Sequence, residues 1–239
     1  MPSEVSTTYP SQYETEVLLR DGSRILLRPI RREDAKRWLA FVRRLSRRTK
    51  YLSFHLVPNE MGPEDAVQFC TVDYIDTFAF VAEVMKEQHK DIIGIGRYYR
   101  LQDKHLAEVA FAIEDAYHGK GIGTKLMEWL ANVARDNGIT NFEAEVLVEN
   151  EQVMTVLRDY GFHITSALRR GVYNITFPIN RTRRVVKKEE ERERISTLAS
   201  LNYLLYPNSI AVIGASRRPG ALGHLILQSI MKNGFSGVV

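Results

Sequence analysis

A glycine-rich turn near the middle of the chain constrains its fold more than any other feature. Residues 119–124 (GKGIGT) follow an alternating apolar segment and open a helix with Leu126, Trp129, Leu130 and Val133 on one side. Backbone N–H groups in such a turn point inward, the glycines let a phosphate come close, and the helix dipole favours its negative charge. The turn predicts a pyrophosphate-binding strand-to-helix unit, although the pattern also suits mononucleotides or a purely structural turn.

Alternating and amphipathic segments on both sides of this turn predict an α+β fold. An Asp-Gly turn separates apolar runs at 16–20 and 24–28, which indicates a β-hairpin. Helices are predicted within 29–46, 63–72, 116–138 and 151–160, and further strands at 78–85, 91–101, 105–115, 141–148, 163–168 and 172–179. We expect a bent, mixed, mostly antiparallel sheet.

The charge distribution favours a small polyanionic ligand. The net charge is +4 and the isoelectric point is near 9.1, but the basic residues are spread over several segments without a nucleic-acid motif. By this criterion, nucleic acid is not the expected partner. The arginine-rich helix at 29–46 is most simply a solvated amphipathic face, with a docking surface for an acidic protein or for nucleic acid as the alternatives.

The cysteine, histidine and hydropathy patterns argue against a disulfide-bonded, metal-binding or membrane protein. Cys70 is the single cysteine, so it forms no internal disulfide and is expected to be a small buried hydrophobe. His105, His118 and His163 lack metal-ligand spacing, so we expect no metal. The polar, acidic amino terminus and the lack of an apolar run approaching ~20 residues predict a cytoplasmic protein without membrane contact.

Two segments together resemble a known family. Residues 107–130 (AEVAFAIEDAYHGKGIGTKLMEWL) and 148–162 (VENEQVMTVLRDYGF) are similar to the acetyl-CoA-binding core of the GNAT acyltransferase superfamily. The family's phosphate motif is Arg or Gln, two residues, Gly, one residue, then Gly or Ala, and it maps onto His118, Gly121 and Gly123. His118 departs from the usual Arg or Gln. The resemblance covers most of residues 15–179.

The resemblance implies acetyl-CoA as cosubstrate and a set of residues that bind it. Asn150 is expected to contact the pantetheine arm, and a backbone N–H around Ala112 or Ile113 to meet the oxyanion. The implied binding residues are Phe111, Ala112, Ile113, His118, Gly119, Lys120, Gly121, Ile122, Gly123, Thr124, Asn150 and Met154. Many family members protonate the thiolate with a tyrosine just after the Leu157 position. Arg158 occupies that place here, and Tyr160, two residues further on, is expected on another face of the helix. The leaving-group acid is therefore unassigned, and water is the alternative.

The chemistry also requires a base, for which Glu108 is the candidate. A lysine amine with a pKa of about 10.4 is protonated at pH 7, so its proton must be removed directly or through water. Glu108 precedes the glycine turn and is in phase with Ala110 and Ala112, whose small side chains leave room for an acyl group. By resemblance, the protein-acetylating branch uses a glutamate here. Glu114 and Glu83 are weaker candidates.

The carboxyl-terminal part has a different character. Residues 180–199 switch to dense charge and predict a helical or flexible linker between a catalytic domain (15–179) and a third segment (200–239). That segment resembles the start of the CoA-binding domain of ADP-forming acyl-CoA synthetases, through Gly214, Ala215, Ser216, Gly220 and Gly223. It contains one Rossmann-like βα unit and the start of a strand, which predicts a truncated or decayed form of a longer fusion.

Fusions of these two parts look like the bacterial protein-lysine acetyltransferases that silence acyl-CoA synthetases. We therefore expect a protein substrate with an acceptor lysine, for which an acyl-CoA synthetase is the candidate. The alternatives are an acetyltransferase for a small amine and a non-catalytic acyl-CoA-binding regulatory module.

Overall fold

A mixed sheet of eight strands organises the protein. The computed structural model describes residues 8–54, 61–86 and 89–239. Along the sheet the strands follow the order β1-β2-β3-β4-β5-β6-β8-β7, and every neighbouring pair is antiparallel except β5 and β6. The strands are β1 (Thr15–Leu18), β2 (Arg24–Pro29), β3 (Thr77–Lys86), β4 (His89–Arg100), β5 (Leu106–Ile113), β6 (Asn141–Leu147), β7 (Thr165–Arg169) and β8 (Val172–Pro178). The predicted α+β class and mostly antiparallel sheet are confirmed.

Helices cover both faces of this sheet. They are α1 (Ala35–Arg44), α2 (Arg47–Phe54), α3 (Pro63–Cys70), α4 (Ile122–Asp136), α5 (Glu151–Tyr160), α6 (Arg183–Leu205) and α7 (Leu222–Lys232). Within the predicted 29–46 helix, β2 occupies the first residue and a short 3₁₀ turn precedes α1. The chain leaves the helical conformation at Leu45, and α2 then begins at a basic stretch with little apolar periodicity, which was not predicted.

Two hydrophobic cores lie on opposite faces of the central strands. Phe78 and Phe80 pack on the α4 side, whereas Ala79 and Val81 of the same strand pack on the α1 and α3 side. This arrangement explains why the central strands read as nearly continuous apolar runs, since both of their faces are buried. Cys70 lies in the second core, as predicted, and burial raises the pKa of its thiol to about 12.

The charged stretch after residue 179 forms one long helix. α6 extends through the predicted linker to Leu205, and its buried residues Val185, Arg192 and Ser196 show that one side packs on the domain. In the last segment, α7 matches the predicted helix. The strand expected just before it does not form, because the described residues 209–214 make only a single bridge, from Ser209 to Val238. A strand without neighbours has little to stabilise it. The domain boundaries stay predictions.

Candidate active site

The glycine loop joins β5 to α4 and leaves the start of that helix open. Gly119 and Gly121 have φ values of +76° and +91°, a region that favours glycine. Gly121 is the N-cap residue of α4, so it has no side chain with which to cap the first-turn amides. A Cβ atom on Gly123 would lie 3.1 Å from Val156 Cγ2 of α5, so a side chain there would crowd the groove. This loop therefore fits a phosphate group.

Lys120 points away from the inner wall of this loop. Its Nζ lies 3.2 Å from Asp21 Oδ2 and 5.6 Å from the centre of the Tyr117 ring. Ile122 and Thr124 are buried, and both still line the cavity at the loop. The backbone of the loop, rather than the lysine side chain, thus faces the ligand cavity.

β5 and β6 separate after a short paired stretch. They pair in parallel only over residues 106–108 and 141–143, whereas β6 pairs with β8 along its whole length. The divergence leaves a cleft of about 140 Å³, whose walls include Ala110 and Phe111 on one side and Ala144 on the other. Such a gap exposes strand backbone to a ligand without disrupting the rest of the sheet.

The ladder between β4 and β5 determines which backbone groups face this gap. Glu114 N donates to Ile93 O at 2.9 Å, and hydrogen-bonded pairs alternate along an antiparallel ladder. In this register the backbone groups of Ala112 face β4, while those of Phe111 and Ile113 face the gap toward β6. Of the two residues expected near the oxyanion, Ile113 therefore points its N–H to the β6 side of β5, and Ala112 does not.

Three adjoining cavities form one groove from the glycine loop to the cleft. The cavity at the loop measures about 270 Å³ and shares Gly123 and Val156 with a smaller one of about 60 Å³. The small cavity shares Phe111 with the cleft, and Glu108 lines the cleft itself. Glu108 and Ile113 are five residues apart, ~17 Å of extended strand. The groove suits an elongated ligand with an anionic group at the loop and a reactive group near Glu108.

His118 is held in place by neighbouring groups rather than left free. Its Nε2 lies 2.8 Å from Ile113 O and its Nδ1 lies 3.2 Å from Gln152 Nε2. Since a carbonyl only accepts and an amide nitrogen only donates, this arrangement places the proton on Nε2. His118 lines the groove, but it ties β5 to α5 instead of presenting a cation to a phosphate.

On α5, the structure separates the two predicted binding residues. Asn150 lines the cleft, yet its side chain caps α5 by accepting from Val153 N at 3.4 Å and donates to Leu52 O at 3.4 Å. Met154 packs against the hydrophobic core. Val153 and Val156 of the same helix line the groove, and prediction missed them although they lie within three residues of Met154.

Helix α2 supplies a wall of the groove that no local pattern predicted. Leu52 and Ser53 line both the small cavity and the cleft. Ser46 Oγ and Thr49 Oγ1 each donate to Asp115 Oδ1 at 2.7 Å, which fixes α2 to the loop before the glycines. Burial opposes ionisation of Asp115, but these hydrogen bonds outweigh it and lower its pKa to about 2.

Glu108 lies on an acidic face of the sheet. It is exposed, and its cross-strand neighbours are Tyr99 of β4 and Glu143 of β6. Burial raises the pKa of Glu143, and the charges of Glu108 and Glu145 raise it further. As predicted, Glu108 shares its face with Ala110, since residues alternate along β5. Glu108 can accept a proton here, and the neighbouring carboxylates can attract a cation.

The other groups considered for proton transfer lie elsewhere. Glu83 is 2% exposed and forms ion pairs with Arg28 and Arg37, and Glu114 pairs with Arg44 at 3.0 Å. Tyr160 is buried and stacks on Phe162, and burial raises its pKa. Glu83, Glu114 and Tyr160 thus make structural contacts, and Glu108 remains the candidate base.

The described residues contain neither a metal-binding cluster nor a membrane-spanning helix. Within residues 8–54, 61–86 and 89–239, no group of three or more His, Cys, Asp or Glu side chains is arranged to hold a metal ion. No helix in the same part of the chain is long and apolar enough to span a membrane.

Comparisons with known proteins agree with this geometry. A family model described as an acetyltransferase (GNAT) domain matches residues 24–163. Acetyltransferase PA5475 of Pseudomonas aeruginosa is 38% identical over 120 residues, which are 50% of this chain and 64% of that protein. Acetyltransferase Pat of Mycolicibacterium smegmatis is 32% identical over 146 residues, which are 61% of this chain and 43% of that protein. The chain thus spans less than two thirds of each relative.

A solved structure extends the similarity to three dimensions. The crystal structure of the GNAT domain of S. lividans PAT superposes with a TM-score of 0.66 at 32% identity. The match covers 72% of this chain and 99% of that one.

Proposed function

This chain belongs to the GNAT family of acetyltransferases, and from that premise we propose that it moves an acetyl group from acetyl-CoA directly onto a lysine side chain of a protein. The observation that carries the proposal is the position of Glu108, where the parallel pairing of β5 and β6 ends and the ligand groove meets the acidic face. Glu108 is the proposed general base.

The groove offers matching partners for each part of acetyl-CoA. The glycine loop and the first-turn amides of α4 suit the pyrophosphate. The C=O of Phe111 and the N–H of Ile113 suit the amides of the pantetheine arm, which would lie beside β5 like an added strand. When bound, acetyl-CoA supplies the thioester carbonyl and the thiolate that leaves. The N–H of Phe111, which lines the same cleft as Glu108, then stabilises negative charge that develops on the carbonyl oxygen.

Proton transfer is assigned to Glu108 and solvent. Glu108 accepts one proton from the lysine ammonium, directly or through water, and the neutral nitrogen forms the N–C bond as the C–S bond breaks. Tyr160 is stacked in the core, so it is not assigned as the acid. The nitrogen loses a second proton as the amide forms, and water carries that proton to the leaving thiolate. A mechanism of this kind needs the carboxylate near the acyl end of the groove, which is where Glu108 lies.

The surroundings of Glu108 favour a large, cationic acceptor. Glu145 of β6, Asn174 of β8 and Ala167 of β7 are cross-strand neighbours, and all three are exposed. This open sheet face leaves room for a protein surface, and its carboxylates favour an approaching ammonium group. Similarity to the two Pat acetyltransferases supports a protein substrate, and resemblance to synthetase-linked enzymes makes an acyl-CoA synthetase the proposed partner.

Thiol release from acetyl-CoA, with an acyl-CoA synthetase as acceptor, tests this proposal. Glu108→Gln should lower kcat by roughly 10²–10⁴-fold while leaving acetyl-CoA binding nearly intact. Glu16→Gln, which neutralises an exposed glutamate on β1, is the matched control and should keep wild-type turnover. Normal turnover by Glu108→Gln would remove Glu108 from the mechanism.

The same assay separates the two alternatives. Turnover with small amines but not with proteins would indicate a small-amine acetyltransferase. Tight acetyl-CoA binding without turnover on any amine would indicate a regulatory module.

A further inference from the structure

The turn between β1 and β2 packs directly against the glycine loop. Arg20 N donates to Lys120 O at 3.2 Å, and Asp21 Oδ2 lies 3.2 Å from Lys120 Nζ. This hairpin is about a hundred residues away in sequence and lies outside the segments that resemble the family's acetyl-CoA core. It nevertheless forms one wall of the cavity at the loop, through Arg20.

The Arg20 side chain lies over Gly121. A Cβ atom on Gly121 would lie 3.3 Å from Arg20 Cγ and 3.5 Å from Arg20 Nε. Beyond this contact, the guanidinium reaches Asp159 of α5, with 2.6 Å between Nη2 and Oδ2. The two side chains are 43% and 38% exposed, so the guanidinium is held beside the loop but remains accessible to a ligand.

The side chains that line the cavity at the glycine loop carry more negative than positive charge. Among the described residues that line it, Glu151 and Asp159 are acidic, and Arg20 is the only lysine or arginine. His118, at the position where the GNAT motif usually has Arg or Gln, is bound to Ile113 O and Gln152. A pyrophosphate in this cavity would therefore meet two carboxylates, and of the described residues in its wall Arg20 alone offers a full positive side-chain charge against them.

We infer that Arg20 binds the pyrophosphate of acetyl-CoA, supplying from the β1–β2 turn the cation that His118 does not supply. The inference rests on the proposed function. On binding, the guanidinium turns from Asp159 Oδ2 to a phosphate oxygen, a move that costs little because exposed ion pairs are weak. Guanidinium groups also suit phosphate through their paired N–H donors.

The test is the Kd of acetyl-CoA measured by calorimetry on the full chain. Arg20→Met should weaken binding by about tenfold or more, because a charge-assisted hydrogen bond is lost. Arg24→Met removes the same charge from an exposed position on β2 and is the matched control, with an unchanged Kd expected. Equal Kd values for wild type and Arg20→Met would overturn the inference.

Asp159→Asn distinguishes direct binding from a structural role of the Arg20–Asp159 pair. Direct binding predicts that this variant binds acetyl-CoA as tightly as wild type or more tightly, because a carboxylate near the phosphates is removed. If Asp159→Asn weakens acetyl-CoA binding as much as Arg20→Met does, the intact ion pair is what supports binding. That outcome would contradict direct binding by Arg20.

Shortened ligands identify the phosphate that Arg20 contacts. The loss of affinity caused by Arg20→Met should persist with 3′-dephospho-acetyl-CoA, because this ligand keeps the pyrophosphate. If the loss disappears with that ligand, Arg20 contacts the 3′-phosphate and the pyrophosphate assignment is wrong. Failure of the wild-type protein to bind acetyl-CoA would overturn the proposed function, and this inference with it.

Discussion

Glu108 of β5 lies directly opposite Glu143 of β6, at the last position where these parallel strands are paired. Burial raises the pKa of Glu143, with further contributions from the charges on Glu108 and Glu145. The like charges of these neighbouring carboxylates repel each other, and an incoming ammonium group relieves that repulsion. The proposed base therefore lies in an environment that favours binding of a cationic acceptor.

Replacing Glu108 should change the titration of Glu143. In Glu108→Gln the negative charge next to Glu143 is gone, so the pKa of Glu143 falls toward the ordinary value of about 4.3. It stays above that value because the burial remains. Carboxyl-carbon NMR across a pH series measures this shift, and Glu16→Gln serves as the control. An unchanged Glu143 titration in Glu108→Gln would show that the two carboxylates do not interact.

Asp115 should make stability depend on pH at the acidic end. Its folded-state pKa of about 2 lies below the ordinary value of about 3.9, so its contribution is fully present above pH 4. That contribution is lost as the pH falls from about 4 through 2. Because Asp115 is exposed, we expect Asp115→Asn to cost no more than about 1 kcal/mol at neutral pH.

Urea unfolding of wild type and Asp115→Asn between pH 7 and 3 measures this effect. The difference in unfolding free energy should be constant down to about pH 4 and shrink below it. A difference that is the same at pH 7 and pH 3 would rule out the hydrogen-bonded carboxylate as its source.

A buried ion-pair network joins β2, β3 and the start of α1. Arg28 Nη2 lies 2.5 Å from Glu83 Oε1 and 2.7 Å from Asp34 Oδ1, and Arg37 also contacts Glu83. Removing one partner leaves a buried charge without full compensation, so Glu83→Gln should destabilise the fold by roughly 3 kcal/mol. Equilibrium urea unfolding measures this change, and Glu16→Gln should stay within about 0.5 kcal/mol of wild type.

Turnover of Glu83→Gln is a second measurement on the same variant. If Glu83 is purely structural, folded Glu83→Gln should retain turnover at low temperature. Loss of turnover without loss of stability would restore Glu83 as a candidate base.

The glycine loop and most elements were predictable because their signals are local. The spacing of Gly119, Gly121 and Gly123 and the apolar face of α4 are properties of one continuous segment. The separation of β5 from β6 depends instead on β8 pairing with β6 from the other side, which no short segment encodes.

Long-range contacts explain the residues that prediction missed or placed differently. Arg20 reaches the loop only because the β1–β2 turn folds back onto it. Asn150 has side-chain contacts with Val153 N and Leu52 O, and the second of these partners is on α2. The apolar pattern before residue 214 predicts a strand, but strand formation also requires neighbours, and the described structure offers only the bridge to Val238.

Tyr99 forms a rigid aromatic wall beside the proposed base. It pairs with Glu108 across β4 and β5, and the residue is 40% exposed. The Arg97 guanidinium, itself buried, lies 4.1 Å from the centre of the Tyr99 ring and 3.8 Å from that of Phe69. Such cation–π contacts hold the ring in place. The exposed ring face suits the methylene stem of an acceptor lysine, because long charged side chains pack their stems on apolar surfaces.

Replacing Tyr99 should therefore affect the acceptor more than acetyl-CoA. Tyr99→Ala is expected to raise the acceptor KM by about tenfold, since ~1–2 kcal/mol of apolar contact is lost, with little change in the Kd of acetyl-CoA. Tyr99→Phe keeps the ring and is the matched control, with a KM close to wild type. Steady-state kinetics with varied acceptor measure both variants. If Tyr99→Phe is as impaired as Tyr99→Ala, the hydroxyl rather than the ring face contacts the acceptor.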